Sequence, residues 1–278
     1  MSTNVNKVIL GQVGGIQAAT KTDEAKGIVE NPFNLVRVNK AENVPQESAW
    51  IGLSCRIATA GYSAAPEGYE APTQLFVNAL VNELGGAGNV GLVTSPTADK
   101  GSIDAISTIA AHGSRLPIKY VTAEGYVQYI NPDNFPKEGI DNNRYKAEAK
   151  YVLPDNDEYS RATSVVSNSF LATGGRDATV GDFVNAIKRG NKVVILDNKF
   201  VKADVWDSKK NRPNNASAYL AQKLAGDTTL PLIPGKGFTQ EFVDQNKEAI
   251  ARLVKVVTVA DEADINRAAK EAAAFLSS

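Results

Sequence analysis

From Ala49 onward the chain alternates short apolar runs with longer stretches of helical spacing. "WIGLSC" (50–55), "NVGLVTS" (89–95), "PIKYVTA" (117–123), "FLAT" (170–173) and "KVVIL" (192–196) are the lengths of buried strands. Between them, "TQLFVNALVNELGG" (73–86) carries apolar residues at helical intervals, with Leu75, Phe76, Ala79, Leu80 and Leu84 predicted on one face. Glycines mark its end. "GSIDAISTIAAHG" (101–113) predicts a helix closing at Gly113, "SRATSVVSNS" (160–169) another, and a further helix is expected from about Thr179 to Arg189. The chain closes with a helix in "TQEFVDQNKEAIARL" (239–253), a strand in "VKVVTVA" (254–260) and a final Ala-rich helix.

Strands that alternate with helices predict an α/β fold: a mostly parallel, Rossmann-like sheet with helices on both faces. Residues 1–48 form a separate preface, in which "KVILGQVGGIQ" and "NPFNLVRVNK" read as short strands around a polar connection. They predict an N-terminal β arm, either a hairpin at the sheet edge or a contact to a second copy in a homo-oligomer. The α/β domain then spans 49–278, with polar insertions near 124–158 and 197–217. A long segment of little periodicity inside a compact domain is often a lid or binding loop.

Composition narrows the function. Thirty basic and thirty-one acidic residues leave a net charge of −1. There is therefore no general pull towards nucleic acid or anionic membranes. No apolar run approaches the length of a membrane span. The opening "MSTNVNKVIL" lacks a basic stretch followed by a long apolar core, which argues against a secretory signal and for a cytoplasmic setting. The single cysteine, Cys55, leaves no internal disulfide framework, and one histidine with one cysteine argues against a zinc site or a Cys–His nucleophile. No metal or other cofactor is implied, so any chemistry falls to carboxylates, arginines and backbone amides.

Three segments resemble a known family. "IGLSCRIATAG" is similar to the opening strand of the SLOG superfamily, followed by a small residue and an arginine. "LVTSPTADKGSIDAI", with "IKYVTAEGYVQYINPDNFP" after it, is similar to the "SGxAxGID" and "YPxxN" motifs of the SMF/DprA proteins. Here Gly101, Ile103 and Asp104 stand at the "GID" positions, and Pro132 and Asn134 in the turn. "SRATSVVSNSFLATGGRDATVGDFVNAIKRGNKVVIL" resembles the arginine helix, strand, Gly-Gly turn, helix and strand of the LOG-type phosphoribohydrolases. Together the segments cover residues 49–200 in family order. The chain departs from the LOG pattern "PGGxGTxxE": Thr173 replaces proline, one residue is inserted before Ala178, and Asp182 stands where glutamate would.

The resemblance implies a nucleotide-like small molecule held at the carboxyl ends of the strands. In an enzymatic version it is a nucleotide whose N-glycosidic bond is hydrolysed, with Asp182 supporting the ribosyl centre and Arg161 facing phosphate. Each candidate residue also has a structural reading. Gly174 and Gly175 either admit backbone N–H groups to a phosphate or only turn the chain. Thr179 and Asp182 have the spacing of a capping box, which needs no ligand. Arg161 either grips phosphate or is a solvated arginine beside Asp157 and Glu158. Ser54 and Arg56 follow the first predicted strand and would reach ligand there. Arg176 clamps an anion or is simply exposed. Asp104 touches ligand or complements a helix dipole. His112 fits a helix C-terminus, and Lys209, Lys210 and Arg212 fit a solvated loop.

Two other functions compete with a nucleotide site. One is an assembly or structural protein, viral in character, built on an inactive scaffold. The other is a DprA-like single-strand DNA binder, for which the near-neutral charge is a poor match.

Overall fold

The computed structural model describes residues 16–17, 31–97, 99–135 and 138–278. Its strands are β1 (Ile16–Gln17), β2 (Leu35–Val38), β3 (Cys55–Gly61), β4 (Val90–Thr94), β5 (Ile118–Ala123) and β6 (Lys150–Leu153). The second half adds β7 (Ser169–Thr173), β8 (Lys192–Asn198), a small hairpin of β9 (Trp206–Asp207) and β10 (Arg212–Pro213), and β11 (Val254–Val259). Among the described residues nine of these form one sheet, in the order β1-β2-β6-β5-β4-β3-β7-β8-β11. Every pairing in it is parallel except β1 with β2.

The helices are α1 (Ser48–Ile51), α2 (Glu70–Glu83), α3 (Ile103–Gly113), α4 (Asn142–Ala147) and α5 (Asn156–Val166). They continue with α6 (Asp177–Arg189), α7 (Ala216–Leu224), α8 (Gln240–Gln245), α9 (Lys247–Leu253) and α10 (Glu262–Ser277). Successive strand residues face opposite sides, so both faces need covering. Ile57, Leu92, Leu171, Val194 and Val257 pack under α2, α3 and α10. Ala58, Val93, Phe170, Val193 and Ile195 pack under α5, α6 and α7. This is a doubly wound, Rossmann-like α/β fold.

From β3 the chain runs outward through β4, β5 and β6, then returns to β7 on the other flank of β3. Loops at the carboxyl ends of β3 and β7 therefore diverge, and open parallel sheets bind ligands in the crevice left at such a reversal.

Several elements sit differently from the sequence reading. The expected strand over 50–55 is α1 and a turn, and the central strand begins at Cys55 and occupies "CRIATAG". Trp50 and Leu53 instead pack at the amino end of the sheet, where Gly91 has no Cβ to obstruct them. The Trp50 indole N–H donates to the carbonyl of Val166 at 2.7 Å. Small residues suffice in β3 because helices press on it from both sides. In α2, Phe76 and Leu80 are buried as expected, but Val77, Val81 and Thr73 complete the face while Leu75 is 51% exposed. The stretch 124–158 holds α4 and β6, an internal strand of the main sheet. Helix α7 was not expected at all.

Of the preface, β2 lies beside β6, and Val38, Ala41 and Val44 are buried in the core. The strand read in "KVILGQVGGIQ" lies outside the described residues apart from Ile16 and Gln17. Among the described residues, no helix is long and apolar enough to cross a membrane.

Candidate functional site

A cleft of about 460 Å³ opens at the carboxyl ends of β3, β4, β5 and β7. The loop after β3 supplies Tyr62 and Ser63; that after β4 supplies Ser95, Thr97 and Asp99, followed by Asp104 in the first turn of α3. Tyr126 and Tyr129 come from the 3₁₀ segment after β5, and Tyr159 from α5. The turn after β7 and the start of α6 add Gly175, Arg176, Thr179 and Asp182.

The Gly-Gly turn is held from behind. Gly174 has φ +70° and Gly175 φ +86°, the left-handed region that suits glycine. A Cβ on Gly174 would lie 2.2 Å from the Tyr62 ring, and one on Gly175 2.1 Å from the Thr179 hydroxyl. The Gly174 N–H donates to the Ser217 hydroxyl at 2.7 Å, and the Gly175 carbonyl accepts from the N–H of Ala216 at 2.9 Å. Tyr62 donates its hydroxyl proton to the carbonyl of Asn214 at 2.7 Å. Gly174 is thus a packing and turn residue whose N–H is already committed. Gly175 is the member of the pair that lines the cleft.

Helix α6 begins earlier than the sequence suggested. Arg176 is its N-cap residue and makes no side-chain capping bond, so Thr179 and Asp182 lie inside the helix. The capping-box reading is therefore corrected: Thr179 is buried against the turn, and Asp182 accepts the Ser160 hydroxyl proton rather than reaching back to the cap. A 13-residue helix directs an N-terminus without a side-chain cap into the cleft, with the Arg176 guanidinium beside it. The helix dipole and a first turn without a side-chain cap both favour an anion there.

Two carboxyls face this region. Burial pushes the Asp182 carboxyl up to about 6, against the opposing effects of the Ser160 hydroxyl and nearby Lys236, and the charge of Asp104 adds to the rise. Burial likewise raises Asp104 to about 6, although its Oδ1 accepts from the Thr94 hydroxyl at 2.7 Å and the Ser95 N–H at 3.0 Å. Tyr159 lies close enough to both for their charges, after burial, to hold its phenol well above the usual range. Both carboxyls line the same cleft, and the charge of Asp104 is felt at Asp182.

The remaining candidates are placed elsewhere. Because β3 starts at Cys55, Ser54 and Arg56 sit at the amino end of the sheet, opposite the cleft. The Arg56 guanidinium donates to the carbonyls of Ile51 and Leu53, and the Ser54 carbonyl accepts from Asn168. Arg161 is a surface residue on α5, ion-paired with Glu158 at 2.7 Å and with Glu42. Gly101 has φ +78° and lets the chain pass the Glu70 carboxylate before α3. Ser102 caps α3 by accepting from the N–H of Ala105 at 3.1 Å, and Asp104 stands in the first turn, where it complements the helix dipole. His112 is a core residue in the last turn of α3, bonded to Glu148 at 3.1 Å. Cys55 is buried, and burial raises its thiol.

The sequence gives no periodic sign of Tyr62, Tyr126 or Tyr129, which are single tyrosines in loops, and Tyr159 is one residue of a helix whose partner face is set by distant elements. Their one signal was density: Tyr126 and Tyr129 stand three apart in a segment that buries nothing. Among the described residues, no group of three or more His, Cys, Asp or Glu is placed to hold a metal ion.

No family model and no curated protein matches the chain. Membership of the SLOG superfamily thus remains a likeness of motifs. Among solved structures the chain is similar to a molybdenum cofactor carrier protein from Chlamydomonas reinhardtii, at 15% identity and a TM-score of 0.36. The match covers 79% of this chain and 98% of that one.

Proposed function

We propose that the cleft binds a nucleotide or nucleotide-derived small molecule, and that its paired carboxyls cleave the ligand's N-glycosidic bond. The observation that carries this reading is the convergence of Asp104, Asp182 and the start of α6, with Arg176, at the point where the sheet reverses its strand order.

The cleft is unevenly charged. Among the described residues Asp99, Asp104, Asp177 and Asp182 line it, with Arg176 as its arginine. Asp177 is offset by Lys236 at 3.8 Å and Arg212 at 3.9 Å. Such a wall suits a ligand with many hydroxyls and one anionic end, and it disfavours a nucleic-acid backbone with a charge on every unit. Phosphate is matched by Arg176 and the positive end of α6. Ribose hydroxyls are matched by the carboxyls and by Ser95 and Thr97. Tyr126 and Tyr129, 39% and 58% exposed on the rim, offer flat faces to a base.

Hydrolysis would proceed as water oxygen bonds to the anomeric carbon and the bond from that carbon to the base nitrogen breaks. The base departs and takes a proton from solvent, and the water's second proton passes to a carboxylate. An ionised carboxylate beside the sugar stabilises the positive charge that develops on it. Carboxyls held near 6 are poised to exchange protons around neutrality.

A panel of AMP, other nucleoside monophosphates and ribose 5-phosphate at millimolar concentration tests binding through the melting temperature. Release of free base, assayed by chromatography, tests cleavage. The expected result is a rise in melting temperature with AMP, and base release that is lost in Asp182→Asn with the fold intact. Absence of any shift with every ligand refutes the binding reading. A shift without base release refutes only the hydrolytic one.

A further inference from the structure

A second cleft, of about 300 Å³, runs along the flank of α6 and shares Tyr126, Tyr159, Ala178 and Asp182 with the first. Its character is different. Lys188 and Lys236 line it, and the backbone of Gly235–Gly237 forms its far wall. Arg161 also borders it, but its guanidinium is taken by Glu42 and Glu158. The two clefts meet at Ala178 and Asp182, and Gly181, one turn on from Ala178 on the same face of α6, lies on the lysine side of that junction.

Gly181 is the unexplained residue here. It lies inside a helix, where glycine is unfavourable, and its φ is not in the left-handed region. A Cβ there would meet only the Lys236 side chain, at 3.6 Å or beyond. Neither backbone conformation nor packing against protein demands a glycine. What it provides is a low floor where the lysine-lined cleft opens from the acid-rich one.

We propose that the two clefts form one trough for a nucleoside 5′-polyphosphate, with the phosphate arm leaving the start of α6, crossing at Ala178, passing between Gly181 and Lys236, and ending on Lys188. The proposal rests on the nucleotide reading of the first cleft and extends it to a ligand class. Lys236 flanks the crossing, its side chain beside Gly181 and its ammonium 3.8 Å from Asp177 at the first residue of α6. Lys188 lies eleven positions along the same helix, near the end of the groove. Asp182 faces the passage, but its carboxyl is bonded to the Ser160 hydroxyl, which in turn accepts from Asn185 at 2.9 Å. A ligand with a single phosphate fills the first cleft and leaves the second empty.

The test is calorimetric titration with AMP, ADP and ATP in metal-free buffer of constant ionic strength, on the unaltered protein, Lys188→Ala and Gly181→Leu. The unaltered protein is expected to bind ATP at least tenfold more tightly than AMP. Lys188→Ala and Gly181→Leu should each remove most of that gain and leave AMP affinity within twofold. Gly181→Leu places a strong helix former in α6, so its helix content by circular dichroism should not fall. Equal affinity for AMP and ATP overturns the proposal. So does an ATP advantage that survives both variants, or a loss in Lys188→Ala that is equal for all three nucleotides. If none of the three binds the unaltered protein, the nucleotide reading of the first cleft falls, and this proposal with it.

Discussion

Asp104 and Asp182 carry the sharpest consequence at the scale of single residues. Each is raised from an ordinary 3.8 to about 6, chiefly by burial. The folded state therefore holds these protons more tightly than the unfolded chain does. Both groups favour folding more as pH falls from above 6 towards 4, and oppose it at neutral pH, where they are ionised. Asp104→Asn should thus stabilise the protein at pH 8 by on the order of 1 kcal/mol, a gain that vanishes near pH 4. Urea unfolding at the two pH values checks this, and a loss at both would show that the bonds from Thr94 and Ser95 need the carboxylate. Glycines give a second contrast. Gly174→Ala would drive a methyl into the Tyr62 ring at a positive φ, and should cost about 2 kcal/mol or more. Gly181→Ala meets only ordinary contacts and should gain up to about 1 kcal/mol. The glycine pair was legible in the sequence as a tight turn. That only Gly175 faces the cleft was not, because Ser217 and Tyr62 reach Gly174 from elements distant in the chain.

At the scale of elements, the start of α6 shows where a local motif misleads. Thr179 and Asp182 have the spacing of a capping box, yet the helix starts at Asp177. Two left-handed glycines end the turn at Arg176, leaving Thr179 to pack beneath it. The central strand was hidden for a related reason. "IATAG" looks like a loop by composition, while its place between two helical layers requires only small apolar residues. Longer apolar or helical stretches such as β4, α3 and β8 were readable because periodicity there agrees with burial. The segment around Asn214 to Ser217 carries its own prediction. Ser217→Ala leaves the buried Gly174 N–H without an acceptor and should cost about 1–3 kcal/mol. Hydrogen exchange should quicken at Gly174 and Gly175, while the amides of β8 remain protected. Arg161→Ala, by contrast, breaks a largely exposed pair with Glu42 and should change stability by about 1 kcal/mol or less, with AMP affinity unaltered. An affinity loss would return Arg161 to the site.

For the whole molecule, the reversal of strand order between β3 and β7 is what gathers the site from five separate stretches of chain. The alternation of strands and helices made the fold class readable. The same pattern could not show which strand is central, and so Ser54 and Arg56 were assigned to the wrong end of the sheet. If the carboxyls act as proposed, base release should fall as pH drops through about 6 and they become protonated. Nuclear magnetic resonance of the labelled protein, titrated with AMP, tests the central claim most directly. The account predicts amide shifts concentrated at residues 95–104 and 175–182, abolished in Arg176→Glu. Shifts confined to other surfaces, or none at millimolar AMP, would contradict it.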